Sequence, residues 1–194
     1  MKQTYENREL VILDDGEEQI EDLFPNDPRI HYVFENIKRT TGAKRNRICQ
    51  LAKGPIICHW DDDDWSAADR IQYQVGLLEK TSKPVTGFSD LLFWDCNEKK
   101  AKRFRSGVKR YVCGTTLCYT KEFWQQHQFA DRQQSSDNDF VYPILNYIAA
   151  SKESRHMVAR IHKKHTSPKS GIRELIPIES IPAAFWDNEK LRLP

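Results

Sequence analysis

Ile56-Ile57-Cys58-His59-Trp60-Asp61-Asp62-Asp63-Asp64 runs from a short apolar segment straight into four consecutive carboxylates. The apolar part has the length and composition of a buried strand. Four adjacent like charges raise one another's pKa values unless a cation neutralises them. Hard oxygen ligands with open positions suit Mg²⁺ or Mn²⁺, which keep substrate phosphate oxygens as their remaining ligands. A rival reading makes the run an acidic cap for the helix that follows, where negative charge is favourable. A cap needs one acid, so it accounts for Asp64 and Asp69 but not for Asp61 and Asp63.

Toward the N-terminus, Gly54-Pro55 ends a helix expected over Thr41 to Lys53, with Ile48, Leu51 and Ala52 at helical spacing. Before it, Arg29 to Phe34 alternates as a strand, and Glu17 to Leu23 reads as a short helix stopped by Pro25 and Pro28. Glu9 to Leu13 (ELVIL) is a strand that ends in the turn Asp14-Asp15-Gly16. Toward the C-terminus, a helix is expected over Ala67 to Lys80, with Ser66 at its N-cap and Asp69 completing a capping box. Val85 to Trp94 is strand-like, Asn97 to Arg110 a basic hairpin or loop, and Tyr111 to Tyr119 β-prone. Lys121 to Gln128 and Asp139 to Ala150 read as helices, His156 to His162 as the last strand. The remainder is polar and punctuated by Pro168, Pro177 and Pro182, a tail expected to pack on the body.

Alternating strands and helices over the first 80 or so residues argue for parallel βαβ units. Ligands in such sheets sit at the carboxyl ends of strands. Both acidic turns fall there.

The whole chain has 194 residues, one domain's worth, with 30 Lys and Arg against 28 Asp and Glu. A net charge of +2 excludes a globally basic nucleic-acid binder and an acidic solvating protein. Nine Phe, seven Tyr and five Trp supply a core despite an apolar share of 39%. The longest uncharged stretch, Phe140 to Ser151, is too short for a spanning helix, which needs about 20 apolar residues. No secretory signal is visible. Five scattered cysteines without a CxxC pattern suit a reducing compartment, so a soluble, cytoplasmic protein is expected.

Other segments carry weaker signals. Asp14-Asp15-Gly16 either serves the turn conformation or offers carboxylates to a base or ribose. Gly42-Ala43-Lys44-Arg45-Asn46 opens a helix with two cations, a phosphate neighbour or a solvated face. In Ser135-Ser136-Asp137-Asn138-Asp139-Phe140, an acid or serine caps the next helix, or Asp137 acts as a general base. His162 and His165 are structural or ligating. Lys99 to Arg110 holds seven cations in 12 residues around Phe104, a solvated loop or an anion contact.

In series, Glu9 to Gly16, Gly42 with Lys44-Arg45-Asn46, Ile56 to Asp64, Gly114-Thr115 and Asp137 to Phe140 resemble the family 2 glycosyltransferases of the GT-A fold. The resemblance runs from about Gln3 to Ser167, which leaves 168–194 as the tail of a domain over 1–167. It implies a mostly parallel α/β sheet flanked by helices and a nucleoside-diphosphate sugar as donor. The aspartate run looks like that family's DXD motif. Asp14 or Asp15 would then contact the base or ribose, with Lys44 and Arg45 near the nucleotide. Asp61 or Asp62 would approach the ribose, and Asp63 would bind Mn²⁺ or Mg²⁺ bridging the diphosphate. Asp137 matches the family's catalytic base, and Arg160-Ile161-His162 through Thr166-Ser167 its late histidine element, with His162 reaching the metal.

Two departures accompany it. The family opens with an apolar strand and helix ahead of the Asp-Asp-Gly turn, and this chain begins near that helix's end, at Gln3-Thr4-Tyr5. The absent strand is expected to leave unpaired backbone on both its neighbours. Ser136 stands where the family has Glu. The expected activity is metal-dependent, inverting transfer to an acceptor hydroxyl on a glycan, lipid, protein or nucleic acid. The alternatives are an inactive nucleotide- or partner-binding module and a metal-dependent nucleotidyltransferase or nuclease.

Overall fold

The computed structural model describes residues 2–162 and 174–190, the side chains of the last three excepted. Its elements in chain order are β1 (Leu10–Asp14), β2 (Ile30–Phe34), α1 (Thr41–Leu51), β3 (Ile56–Cys58), β4 (Trp65–Ser66), α2 (Arg70–Thr81), β5 (Val85–Phe88) and β6 (Asp90–Asp95). They continue with β7 (Lys100–Arg105), β8 (Cys118–Thr120), α3 (Lys121–Gln126), α4 (Ser136–Val141), β9 (Ile148–Ser151), β10 (Met157–Ile161), β11 (Glu174–Ile176) and α5 (Ala183–Lys190). The strands form a parallel pair β1-β2, a four-stranded sheet β3-β8-β5-β9 and a five-stranded sheet β11-β7-β6-β10-β4.

The apolar run of β1 lies parallel to β2, from Leu10 opposite Ile30 to Asp14 opposite Phe34. α1 returns the chain to β3. Its N-terminus is capped by Thr40, whose Oγ1 accepts from the Ala43 amide at 3.2 Å. Only glycine fits at position 42, because a Cβ there would sit 1.8 Å from the Ala130 carbonyl oxygen. Among the described residues, β1 pairs with β2 alone and β3 with β8 alone. Glu9 joins the two edges: its Oε1 accepts from the amides of Lys53 at 2.6 Å and Gly54 at 2.7 Å.

Several sequence expectations are corrected. The continuous strand over Val85 to Trp94 breaks at Ser89, whose amide bonds to the Ser151 carbonyl, so the chain leaves one sheet and enters another. The helix over Asp139 to Ala150 stops early: α4 passes into a 3-10 segment over 142–147, and β9 then pairs parallel with β5. The capping box also fails. Ser66 belongs to β4, α2 starts at Arg70, and Asp69 makes no side-chain cap bond. Asp69 instead faces the buried His156, with Oδ1 3.1 Å from Nδ1. Glu17 to Leu23 forms a single 3-10 turn over 21–23. The basic Asn97 to Arg110 stretch does contain the expected hairpin strand, β7, and cations on it are paired: Lys102 with Asp95 at 2.7 Å, and Arg103 with Asp90 at 2.6 Å. Of the β-prone stretch Tyr111 to Tyr119, strand β8 takes only the end, after a 3-10 turn over 114–116.

The largest core cluster joins the four-stranded sheet to α1 and α4 through Cys49, Ile57, Tyr119, Phe129, Phe140 and Ile144. A second holds Trp65, Leu92, Trp94, Val158, Ile181 and Phe185. Thus the segment after residue 173 docks through β11 against β7 and through α5 against the five-stranded sheet. Phe185 is fully buried, edge-on to Trp65 and Trp186, with the Arg160 guanidinium 5.0 Å from its ring. Phe185→Ala is expected to cost about 3–5 kcal/mol, read as a lowered urea midpoint. A change under about 1 kcal/mol would mean that α5 does not pack there in solution.

Candidate active site

The segment 59–64 leaves the end of β3 and is pinned from below. The Arg70 guanidinium, fully buried, donates to the carbonyls of His59 at 2.9 Å and Thr115 at 3.1 Å. It also bonds Ser66 Oγ and Gln74 Oε1 and lies 4.9 Å from the centre of the half-exposed Trp60 ring. His59 is buried, with Nδ1 3.2 Å from the Gly114 carbonyl and Nε2 2.9 Å from the Tyr119 hydroxyl. Burial holds its pKa well below the usual histidine value, with the Arg45 charge acting in the same direction. His59 is therefore a neutral strut.

Asp61, Asp63 and Asp64 place one carboxylate oxygen each within 4.8 Å of one another. Asp64 is the best anchored. Oδ1 accepts from the Arg160 amide and Oδ2 from Thr115 Oγ1, both at 2.9 Å. Even so its pKa is pushed up to about 6, chiefly by burial and further by the charges of Asp61 and Asp63. Asp63 Oδ2 lies 2.7 Å from His162 Nε2, and its carbonyl accepts from the Arg160 guanidinium. Three crowded hard oxygens and an imidazole make a donor set that fits a small divalent cation. Asp62 is the exposed member of the run.

Asp137 sits in the first turn of α4. Arg45 contacts its carboxylate and donates to Ser136 Oγ at 3.1 Å, while lying 5.6 Å from the Phe129 ring centre. Gly114 packs against Asp137 so closely that a Cβ would fall 2.1 Å from Cγ. The turn that holds Asp64 through Thr115 therefore also fixes Asp137.

A cleft of about 1830 Å³ is lined by Lys44, Arg45, Asp61–Asp64, Asp137 and His162. Its apolar walls include Val11 and Ile12 of β1 and Ile56 and Ile57 of β3. Asp14 and Asp15 are not among the lining residues and are engaged locally. Asp14 accepts from the Tyr32 hydroxyl at 2.5 Å and the Gly16 amide at 2.8 Å, and the tyrosine bond lowers its pKa. Asp15 pairs with Lys44 at 2.7 Å. His165, Thr166 and Ser167 lie outside the described residues. Sequence reasoning missed the supporting roles of His59, Arg70 and Arg160, which depend on contacts 45 to 97 residues away. It also left Asp64 open to a capping reading, which the start of α2 at Arg70 removes.

The family model for glycosyl transferase family 2 matches residues 1–149. A relative from Escherichia coli K12, the glycosyl transferase WcaA named for colanic acid biosynthesis, is 37% identical over 76 residues, 37% of this chain and 27% of its own length. An uncharacterized glycosyltransferase of Haemophilus influenzae is 30% identical over 83 residues, 40% of this chain and 33% of its own. The chain thus spans a third or less of these curated relatives. Crystal structures of S. aureus TarS 1–349 superpose with a TM-score of 0.65 for the UDP complex and 0.64 for the UDP-GlcNAc complex, each at 14% identity. They cover 82% and 85% of this chain and 54% and 53% of TarS.

The raised pKa of Asp64 has a consequence for stability. An acid whose folded pKa exceeds its unfolded value of 3.8 binds more protons in the native state between the two. Stability is therefore lost as pH rises from about 4 to about 6, and the penalty is complete above that. In EDTA, Asp64→Asn should remove this loss and stabilise the fold at pH 7.5 by on the order of 2 kcal/mol. Urea titrations at pH 4.5 and 7.5 check it, and parallel behaviour of variant and wild type would refute it. Taken together, the chain belongs to glycosyl transferase family 2 and has the GT-A fold.

Proposed function

We propose that this chain transfers a sugar from a nucleoside-diphosphate donor to an acceptor hydroxyl, with inversion and with the help of Mn²⁺ or Mg²⁺. One observation carries the reading: the Asp61, Asp63 and Asp64 carboxylates crowd one wall of a cleft that also holds Asp137 and two cations. Asp63, Asp64 and His162 would hold the ion, with Asp61 beside them. When bound there, a divalent ion neutralises a diphosphate and the charge that grows on it as it departs.

The protein's own groups do the rest. Lys44 and Arg45, in the first two turns of α1, add positive charge where the diphosphate would lie. Asp61 or Asp62 would accept from the ribose hydroxyls. Asp14 and Asp15, outside the cleft lining, would serve the base or ribose by bracing Tyr32 and Lys44. Asp137 would take the proton of the acceptor hydroxyl as that oxygen attacks the anomeric carbon from the face opposite the diphosphate. A single displacement of this kind inverts the configuration. Uridine donors are the first to try, since the TarS structures hold UDP and UDP-GlcNAc. The same proposal puts the protein in a reducing, cytoplasmic setting, supported by five cysteines without a disulfide.

A second reading is a nucleotide- or partner-binding module without turnover. Arg45 favours it, because its guanidinium holds both Asp137 and Ser136 and so competes for the carboxylate that a base needs. Melting curves with a panel of nucleoside-diphosphate sugars, with and without Mn²⁺, test binding, since a native-state ligand raises the midpoint. The enzyme reading expects Mn²⁺-dependent shifts and release of nucleoside diphosphate. Shifts without release across the panel would favour the module. Asp63→Ala should abolish the Mn²⁺-dependent part of the shift, and nucleotide affinity indifferent to EDTA would remove the metal. Asp137→Ala should cut turnover at least 100-fold with donor binding retained; surviving turnover would move the base elsewhere.

A further inference from the structure

Cys58 and Cys118 stand directly opposite each other on the antiparallel strands β3 and β8. The ladder bonds on either side run from the His59 amide to the Leu117 carbonyl and from the Lys121 amide to the Pro55 carbonyl. That pattern makes the Cys58/Cys118 position a non-hydrogen-bonded pair, the kind in which Cα atoms approach to about 4.5 Å and side chains come closest. The two sulfurs are 3.0 Å apart and share a hydrogen. Backbone spacing of this size is within the range a disulfide spans without moving the strands.

The two thiols differ in access. Cys58 is half-buried and lines the cleft, whereas Cys118 is fully buried behind it. Cys58 is thus the partner nearer the cleft. We propose that Cys58 and Cys118 are a redox modification site, oxidised by small-molecule disulfides to a reversible cross-strand disulfide beneath the cleft. The Cys58 thiolate attacks one sulfur of the small disulfide, whose S–S bond breaks and releases one thiol. Cys118 then gives up its proton and attacks the Cys58 sulfur of the mixed disulfide, expelling the second small thiol. Two protein thiols are oxidised and one small disulfide is reduced to two thiols. The hydrogen shared with Cys118 lowers the Cys58 pKa, against the effect of burial and with help from the Arg70 charge, which favours Cys58 as the attacking sulfur. Cys49 and Cys113 also line the cleft, but only Cys58 and Cys118 face each other across a ladder, so the other three cysteines have no role in the exchange.

The full chain is incubated with oxidised glutathione, alkylated with iodoacetamide and read by intact mass and peptide mapping. The expected product has lost about 2 Da, the mass of two hydrogens, and carries a single Cys58–Cys118 cross-link that dithiothreitol reverses. Cys118→Ser should instead accumulate a glutathione adduct at Cys58, because the resolving thiol is gone. Cys58→Ser should take up neither, with its fold checked by circular dichroism. If Cys118→Ser does not fold, the double variant Cys96→Ser/Cys113→Ser decides, since it must still give the cross-link. All five thiols remaining alkylatable in wild type would overturn the proposal, as would a cross-link that includes Cys49, Cys96 or Cys113. These readouts need no donor, acceptor or metal, so they stand apart from the fate of the transferase reading.

Discussion

Repulsion among Asp61, Asp63 and Asp64 is the constraint around which the rest of this structure is arranged. The pKa of Asp64 is raised chiefly by its burial and further by the charges of Asp61 and Asp63. A free loop would relieve it by splaying the side chains into water. Here the loop is not free. Arg70 holds its entry at the His59 carbonyl, Thr115 and the Arg160 amide hold Asp64, and the Arg160 guanidinium holds the Asp63 backbone. Arg160 is itself stacked over Phe185 of α5, so the late docking of the C-terminal segment supports the acidic cluster directly.

Much of the first half was legible because local signals and tertiary roles agree there. Ile56 to Cys58 is apolar, β-branched and flanked by Gly54-Pro55, and it folds as a strand whichever partner it meets. Thr41 to Lys53 has a capping threonine in front and a glycine-proline stop behind. The second half was harder for identifiable reasons. Phe140 to Ala150 is uncharged and carries a helical apolar spacing, but Pro143 cannot donate a backbone bond, and Ile148 to Ser151 gains a parallel ladder with the fully buried β5. A ladder with a partner about 60 residues away leaves no local mark. The break at Ser89 is similar: nothing in VTGFSDLLFW announces that its two halves belong to different sheets.

The site divides the same way. The acidic run and Asp137 were visible because their residue types are unusual in their positions. The residues that hold them were not, because arginine and histidine are common and their roles exist only through distant carbonyls. Asp64 was left open for a further reason. Its place before a helix made capping the economical explanation, but the helix starts six residues later, at Arg70, and β4 intervenes.

The replacement of the expected glutamate by Ser136 has a physical answer within the fold. An acid at that position would bring a second negative charge beside Asp137, with Arg45 as a shared partner. Serine removes that charge but keeps an acceptor for the same guanidinium at 3.1 Å. Arg45 then faces the Asp137 carboxylate and the charge of Asp61, while burial works against its own charge. A buried guanidinium is costly to separate from a carboxylate partner. On the proposed reading, a diphosphate in the cleft would offer Arg45 another anion in exchange for Asp137, and the substitution would then couple the two halves of the site.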